Sequence, residues 1–79
     1  MDIINIVETV NGTSSSIESF GVFEEQLVSE VVEKAESLFG EKVKENFPQI
    51  SDDELEACIE NGHFEMEDGY VLEIIWSEI

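Results

Sequence analysis

Carboxylates crowd the last third of this chain at spacings that could do chemistry. Asp52, Asp53, Glu56 and Glu60 fall on one predicted short helix, and Glu65, Glu67 and Asp68 fall on a predicted strand and the turn after it. Such groups can serve as paired acid and base, hold a divalent cation, or offer negative charge to a cationic partner. Acid and base work requires a cleft and two environments that drive the pKa values apart, and 79 residues leave little room for one. With a single His, no glycine-rich phosphate loop and no nucleophile elbow, the sequence points away from an enzyme. A calcium loop places oxygen ligands at alternating positions over about twelve residues. Neither Asp52-Asp53-Glu54 nor Glu65-Met66-Glu67-Asp68-Gly69 has that spacing.

The third use fits the spacing best. Four helical residues advance about 6 Å and two strand residues about 6.6 Å, close to the roughly 6 to 7 Å between successive phosphates along one DNA strand. Tyr70 and Trp76 share one side of the last predicted strand by period two, with Leu72 and Ile74 between them. That stripe is core if the helices cover it; uncovered, it is an apolar strip beside carboxylates, suited to a partner or a second copy. Cys58 and His63 are a thiol and an imidazole without the two further ligands of a structural zinc site. The expectation is no metal and no cofactor, with Cys58 a small buried hydrophobe.

Positioning these groups requires a ββααββ order. Asp2 to Val10 is rich in β-branched residues and leads into Asn11-Gly12, a type I′ turn signal. The return strand runs from about Thr13 to Val22, weak through Ser14, Ser15 and Ser16 and stronger through Ile17, Phe20 and Val22. From Glu24 to Asn46, the residues Leu27, Val28, Val31, Val32, Ala35, Leu38, Phe39 and Val43 form one helical stripe. Gly40 interrupts that stripe at a cost of about 1 kcal/mol relative to Ala, but Phe39 and Val43 keep it in phase. The expectation is one long helix, with a bend or an end at Gly40 left open, and Pro48 requires that it be finished. Ser51-Asp52-Asp53-Glu54 reads as a capping box opening a short helix to about Glu60, stopped by Asn61-Gly62, with Leu55, Cys58 and Ile59 inward. Two strand-like runs then flank Asp68-Gly69, another type I′ signal, and Glu65 and Glu67 share one strand face. The second run, Tyr70 to Ile75, is apolar enough for a central strand covered on both faces. The expected fold is α+β, a single domain over residues 1–79, with an antiparallel four-stranded sheet and the helices packed on one of its faces.

Charge narrows the partners. The chain has 20 Asp and Glu against 3 Lys and no Arg, a formal net charge of −17. The imbalance grows along the chain: residues 1–23 hold three acids and no base, 24–46 seven acids with all three Lys, and 47–79 ten acids with no base. Direct binding to nucleic acid or to an anionic membrane would be repulsive. A basic protein surface, that of a nucleic-acid-binding protein included, a cation, or no specific partner remains. Solubility alone asks for a net charge of magnitude about 2 to 8 in a small domain; a solvated surface and adaptation to high salt stay open beside the partner reading. One cysteine excludes an internal disulfide and fits a reducing compartment. The chain reads as soluble, untargeted and cytoplasmic, with a homodimer left open.

In length, charge and compact α+β order the whole chain resembles the small acidic proteins that bacteriophages and mobile elements encode against host defences, including anti-CRISPR, anti-restriction and other DNA-mimic proteins. Those proteins share no motif, so the resemblance assigns no residue a role. It implies stoichiometric inhibition in the cytoplasm of a bacterial host, with an acidic face occupying a cationic groove meant for DNA or RNA. On that reading Asp52, Asp53, Glu56, Glu60, Glu65, Glu67 and Asp68 supply the charge, and Tyr70 or Trp76 anchors. An antitoxin or immunity protein covering a nuclease, or a self-associating accessory protein, are the alternatives.

Overall fold

The computed structural model describes residues 2–22 and 28–78. Its order is β1 (Asp2–Val10), β2 (Thr13–Val22), α1 (Val28–Asn46), α2 (Asp52–Asn61), β3 (His63–Glu65) and β4 (Tyr70–Glu78). All pairings are antiparallel in the sheet order β2-β1-β4-β3, and both helices lie on one face, as the sequence predicts. The predicted start of the long helix and its Leu27 lie outside the described residues.

Asn11 and Gly12 both take positive φ, 52° and 84°, so the first hairpin turns as a type I′ sequence should. The second differs. Gly69 alone is left-handed, at φ 92°, while Met66 N donates to Tyr70 O at 2.8 Å and Gly69 N to Met66 O at 3.2 Å. This is a three-residue connection with glycine at its bulge position, and it corrects the predicted two-residue turn. It also ends β3 at Glu65, so Glu67 sits in the connection and does not share a strand face with Glu65.

Register explains the core. Ile4 pairs with Trp76 and Ile6 with Ile74 across β1 and β4, and directly opposed residues share a sheet face. Ile4, Ile6 and Leu72, together with Phe64 of β3, are buried under Val31, Ala35, Phe39 and Val43 of α1. These four helix positions recur every four residues, which is the predicted stripe, whereas Val28 at its described start is 48% exposed. In β2 the register shifts between the partners of Ile6 and Val7; the extra residue, Ile17, packs against the core while Ser16 and Ser19 meet on the other face.

That other face has no layer over it among the described residues. β4 is central, but it is covered on one side only: Leu72 is fully buried while Ile75 is 40% exposed. The expectation of a strand covered on both faces is corrected here. Its apolar run reflects one buried row and one half-exposed row, Val71 and Ile75, that neighbours Ile3 and Val7 of β1.

Gly40 does not end α1, which continues to Asn46 as one long helix. It is buried, and a Cβ built on it would come 3.2 Å from Ile59 Cδ1. The missing side chain lets α2 approach α1.

Candidate functional site

α2 is built by its caps. Ser51 is extended at φ −74° and ψ 158°, and its hydroxyl accepts from Glu54 N at 3.2 Å. Gly62 closes the helix in the left-handed region at φ 62°, its N–H reaching the carbonyls of Cys58 and Ile59. Asp52, Asp53 and Glu54 occupy the first turn, where the helix dipole favours negative charge. Among the described residues the Ser51 half of the capping box forms, and Glu54 borders a groove beside β3.

At about 100° per residue, Asp52, Glu56 and Glu60 form one ridge of α2, with Asp53 beside it and Leu55, Cys58 and Ile59 on the inward side. All four acids are exposed, and the ridge carries the roughly 6 Å carboxylate repeat of one helical turn. Glu67 and Asp68 are also exposed but stand on the opposite flank of the helix, whereas Glu65, opposite Val71 and beside His63, stands on the open face of the sheet at the same edge. There Glu54, Glu67 and Asp68, with the edge of β3 at Glu65, rim a groove of about 710 Å³ floored by Phe47, Ile50, Cys58, Phe64 and Met66. Six of the seven predicted acids are therefore brought together as two acidic flanks of one helix, and Glu65 lies round the sheet edge from them.

The groove holds Cys58 and His63, the pair weighed as metal ligands. His63 lies between Glu65, with Nε2 to Oε2 at 3.9 Å, and Glu73, with Nδ1 to Oε2 at 3.8 Å. Among the described residues no group of three or more His, Cys, Asp or Glu is placed to hold a metal ion. Burial, and secondarily Glu54, pushes the Cys58 thiol above its ordinary pKa.

The two predicted anchors differ in their surroundings. The Tyr70 ring meets Phe64 edge-on, with centroids 6.5 Å apart, and its hydroxyl donates to Glu8 Oε2 at 2.7 Å. Trp76, at the far end of the same inward stripe, remains 49% exposed. It borders a smaller cleft between α1 and α2, of about 250 Å³, into which Glu36 and Glu60 also face. A third, shallower groove runs between β2 and α1 along Glu18, Glu30, Glu33 and Glu41, with Lys34.

Most of the charge therefore lies on the helical layer and its margins, while Glu65 and Glu73, on either side of His63, stand on the open sheet face. On the open sheet face, Asn5 accepts from Ser19 at 2.5 Å and Ser16 at 3.4 Å, and Thr9 Oγ1 and Ser14 Oγ lie 2.7 Å apart. The three Lys offset little: Lys42 pairs with Glu45 at 3.4 Å, and Lys34 stands among the four carboxylates of the third groove. Sequence reasoning missed Glu36 and Glu54 as parts of these clefts. Glu36 is one turn from both Val32 and Gly40, and that row of α1 becomes the α2-facing side only once Gly40 is known to contact Ile59.

No helix among the described residues is long and apolar enough to cross a membrane. Comparison with known proteins finds no match to this chain among family models, curated proteins or solved structures.

Proposed function

We propose that this protein is a non-enzymatic inhibitor that occupies the basic, nucleic-acid-binding surface of a bacterial defence protein. The observation that carries the reading is the setting of α2. Exposed carboxylates line both of its flanks, and residues 47–79 contain no Lys or Arg to neutralise them. A cationic groove built for phosphates would meet charge at about the phosphate interval along the Asp52, Glu56, Glu60 ridge. Apolar floors between the carboxylates offer burial that a nucleic acid backbone does not. Opposite potentials would steer association and make it fast and salt-sensitive.

The test is displacement of a labelled duplex from DNA-binding bacterial defence nucleases, followed by fluorescence anisotropy at low and moderate salt. The expected result is stoichiometric displacement from at least one nuclease. The D52N/D53N/E56Q/E60Q variant should lose it, and so, to a lesser degree, should E54Q/E65Q/E67Q/D68N. Absence of displacement at either salt concentration, or displacement indifferent to both sets of substitutions, would sink the proposal.

Self-association is a second reading, favoured by the uncovered sheet face with Ile3, Val7, Val71 and Ile75. Sedimentation across a wide concentration range separates it from a monomeric inhibitor.

A further inference from the structure

The cleft between α1 and α2 combines three chemistries in a small volume. Val32, Ile59 and Ile74 give it aliphatic walls, Glu36 and Glu60 put carboxylates on it, and Trp76 stands at its side with half of its surface open to solvent. At about 250 Å³ it falls below the roughly 300 to 1,000 Å³ of sites for small-molecule ligands and suits one inserted side chain.

Neither carboxylate has a cationic partner among the described residues, where the only ion pairs are Lys42 with Glu45 and those of His63. An aliphatic side chain would satisfy the walls but strip water from Glu36 and Glu60 without replacing its hydrogen bonds, which is unfavourable. An ammonium would meet the carboxylates, yet it is a compact and strongly hydrated charge. A guanidinium on a three-carbon stem answers all three features. Its methylenes pack on aliphatic walls, its planar face stacks on an indole, and its forked donors reach two carboxylates at once.

We propose that this cleft receives an arginine side chain from a partner protein, held by Trp76, Glu36 and Glu60. The inference rests on the reading of a basic partner and specifies which of its residues is recognised. It gives Trp76 the anchoring role and leaves Tyr70 to the fold.

Trp76 is the only tryptophan, so its emission reports on the cleft alone. The full chain is titrated with the capped tripeptide Gly-Arg-Gly and with its lysine and citrulline counterparts. The expected result is a saturable change with the arginine peptide, about fivefold weaker binding of the lysine peptide, and no response to citrulline, which keeps the shape without the charge. E36Q/E60Q should weaken arginine binding about tenfold, the loss of roughly 1.4 kcal/mol, while its far-ultraviolet circular dichroism stays that of the parent. Equal responses to all three peptides, or undiminished binding by E36Q/E60Q, would overturn the proposal. If duplex displacement persists while the arginine peptide fails to bind, the cleft inference falls alone. If the peptide binds as expected while displacement fails, the cleft stands and the inhibitor reading falls.

Discussion

The Tyr70 hydroxyl donates to Glu8 Oε2 at 2.7 Å across 62 residues of sequence, and it accepts from Asn46 Nδ2 at 3.0 Å. Asn46 also donates to Lys42 O at 2.8 Å. One phenol thereby joins a central strand, its neighbour and the C-terminal turn of α1.

This junction makes the fold sensitive to alkali. Burial first, and then the Glu8 hydrogen bond and charge, raise the Tyr70 pKa well above its ordinary value of about 10. Above that pH the unfolded chain releases a proton that the folded chain keeps. Stability attributable to Tyr70 is thus complete below about pH 10 and falls as pH rises beyond it. Tyr70→Phe should cost about 1–2 kcal/mol at neutral pH by removing a bond to a carboxylate, and the gap should narrow above pH 10. Urea denaturation of both proteins at the two pH values checks this; a gap that does not change with pH would remove Tyr70 as the cause.

Gly40 should tolerate no branched side chain. A Cβ there already stands 3.2 Å from Ile59 Cδ1, and Gly40→Val adds two methyl groups to a packed helix contact. Overpacking of this kind costs about 1–3 kcal/mol, enough to outweigh the roughly 0.5 kcal/mol that replacing glycine contributes to an exposed helix. The denaturation midpoint should fall, and Trp76 emission should change as α2 moves off the cleft.

The α2 caps can be tested separately from its charge. Ser51→Ala removes the acceptor of Glu54 N and should cost about 1 kcal/mol. Ser51→Asp should restore most of that, since Asp is as good an N-cap as Ser. Circular dichroism during denaturation at high salt, where repulsion among the acids is screened, isolates the cap.

Much of this architecture is legible in the sequence because local rules agree with one another. Asn11-Gly12 fixes a turn, the spacing from Val31 to Val43 fixes a helix face, and Ser51 with Gly62 bounds α2 to within a residue. What is not legible depends on contacts distant in sequence. Gly40 reads only as a costly interruption of one long helix until Ile59 is placed against it. Ile50, in the connection after Pro48, is buried with Phe47 packed beside it although no periodic pattern marks either. The acids are the sharpest case: spacing finds the Asp52, Glu56, Glu60 ridge, but only the packing of α2 against β3 and α1 shows that Glu54 and Glu36 face different clefts.

The same ridge should make the protein less stable than its packing permits. Asp52 with Glu56, and Glu56 with Glu60, are like charges one turn apart, each pair unfavourable by about 0.2–0.5 kcal/mol in a helix. Asp52 is partly compensated by the helix N-terminus, whereas Glu56 belongs to both pairs and lies beyond the first turn. Glu56→Gln should therefore raise stability by about 0.5 kcal/mol at low salt. The gain should shrink as salt shortens the screening length from about 30 Å at 0.01 M toward about 3 Å at 1 M, and the parent itself should become more stable over that range. Denaturation midpoints of both proteins across the series measure each slope. If the parent shows no salt stabilisation, repulsion is not a term in its folding. If Glu56→Gln raises stability yet leaves displacement of the labelled duplex unchanged, the repulsion has been tolerated for something other than this ridge's role in binding.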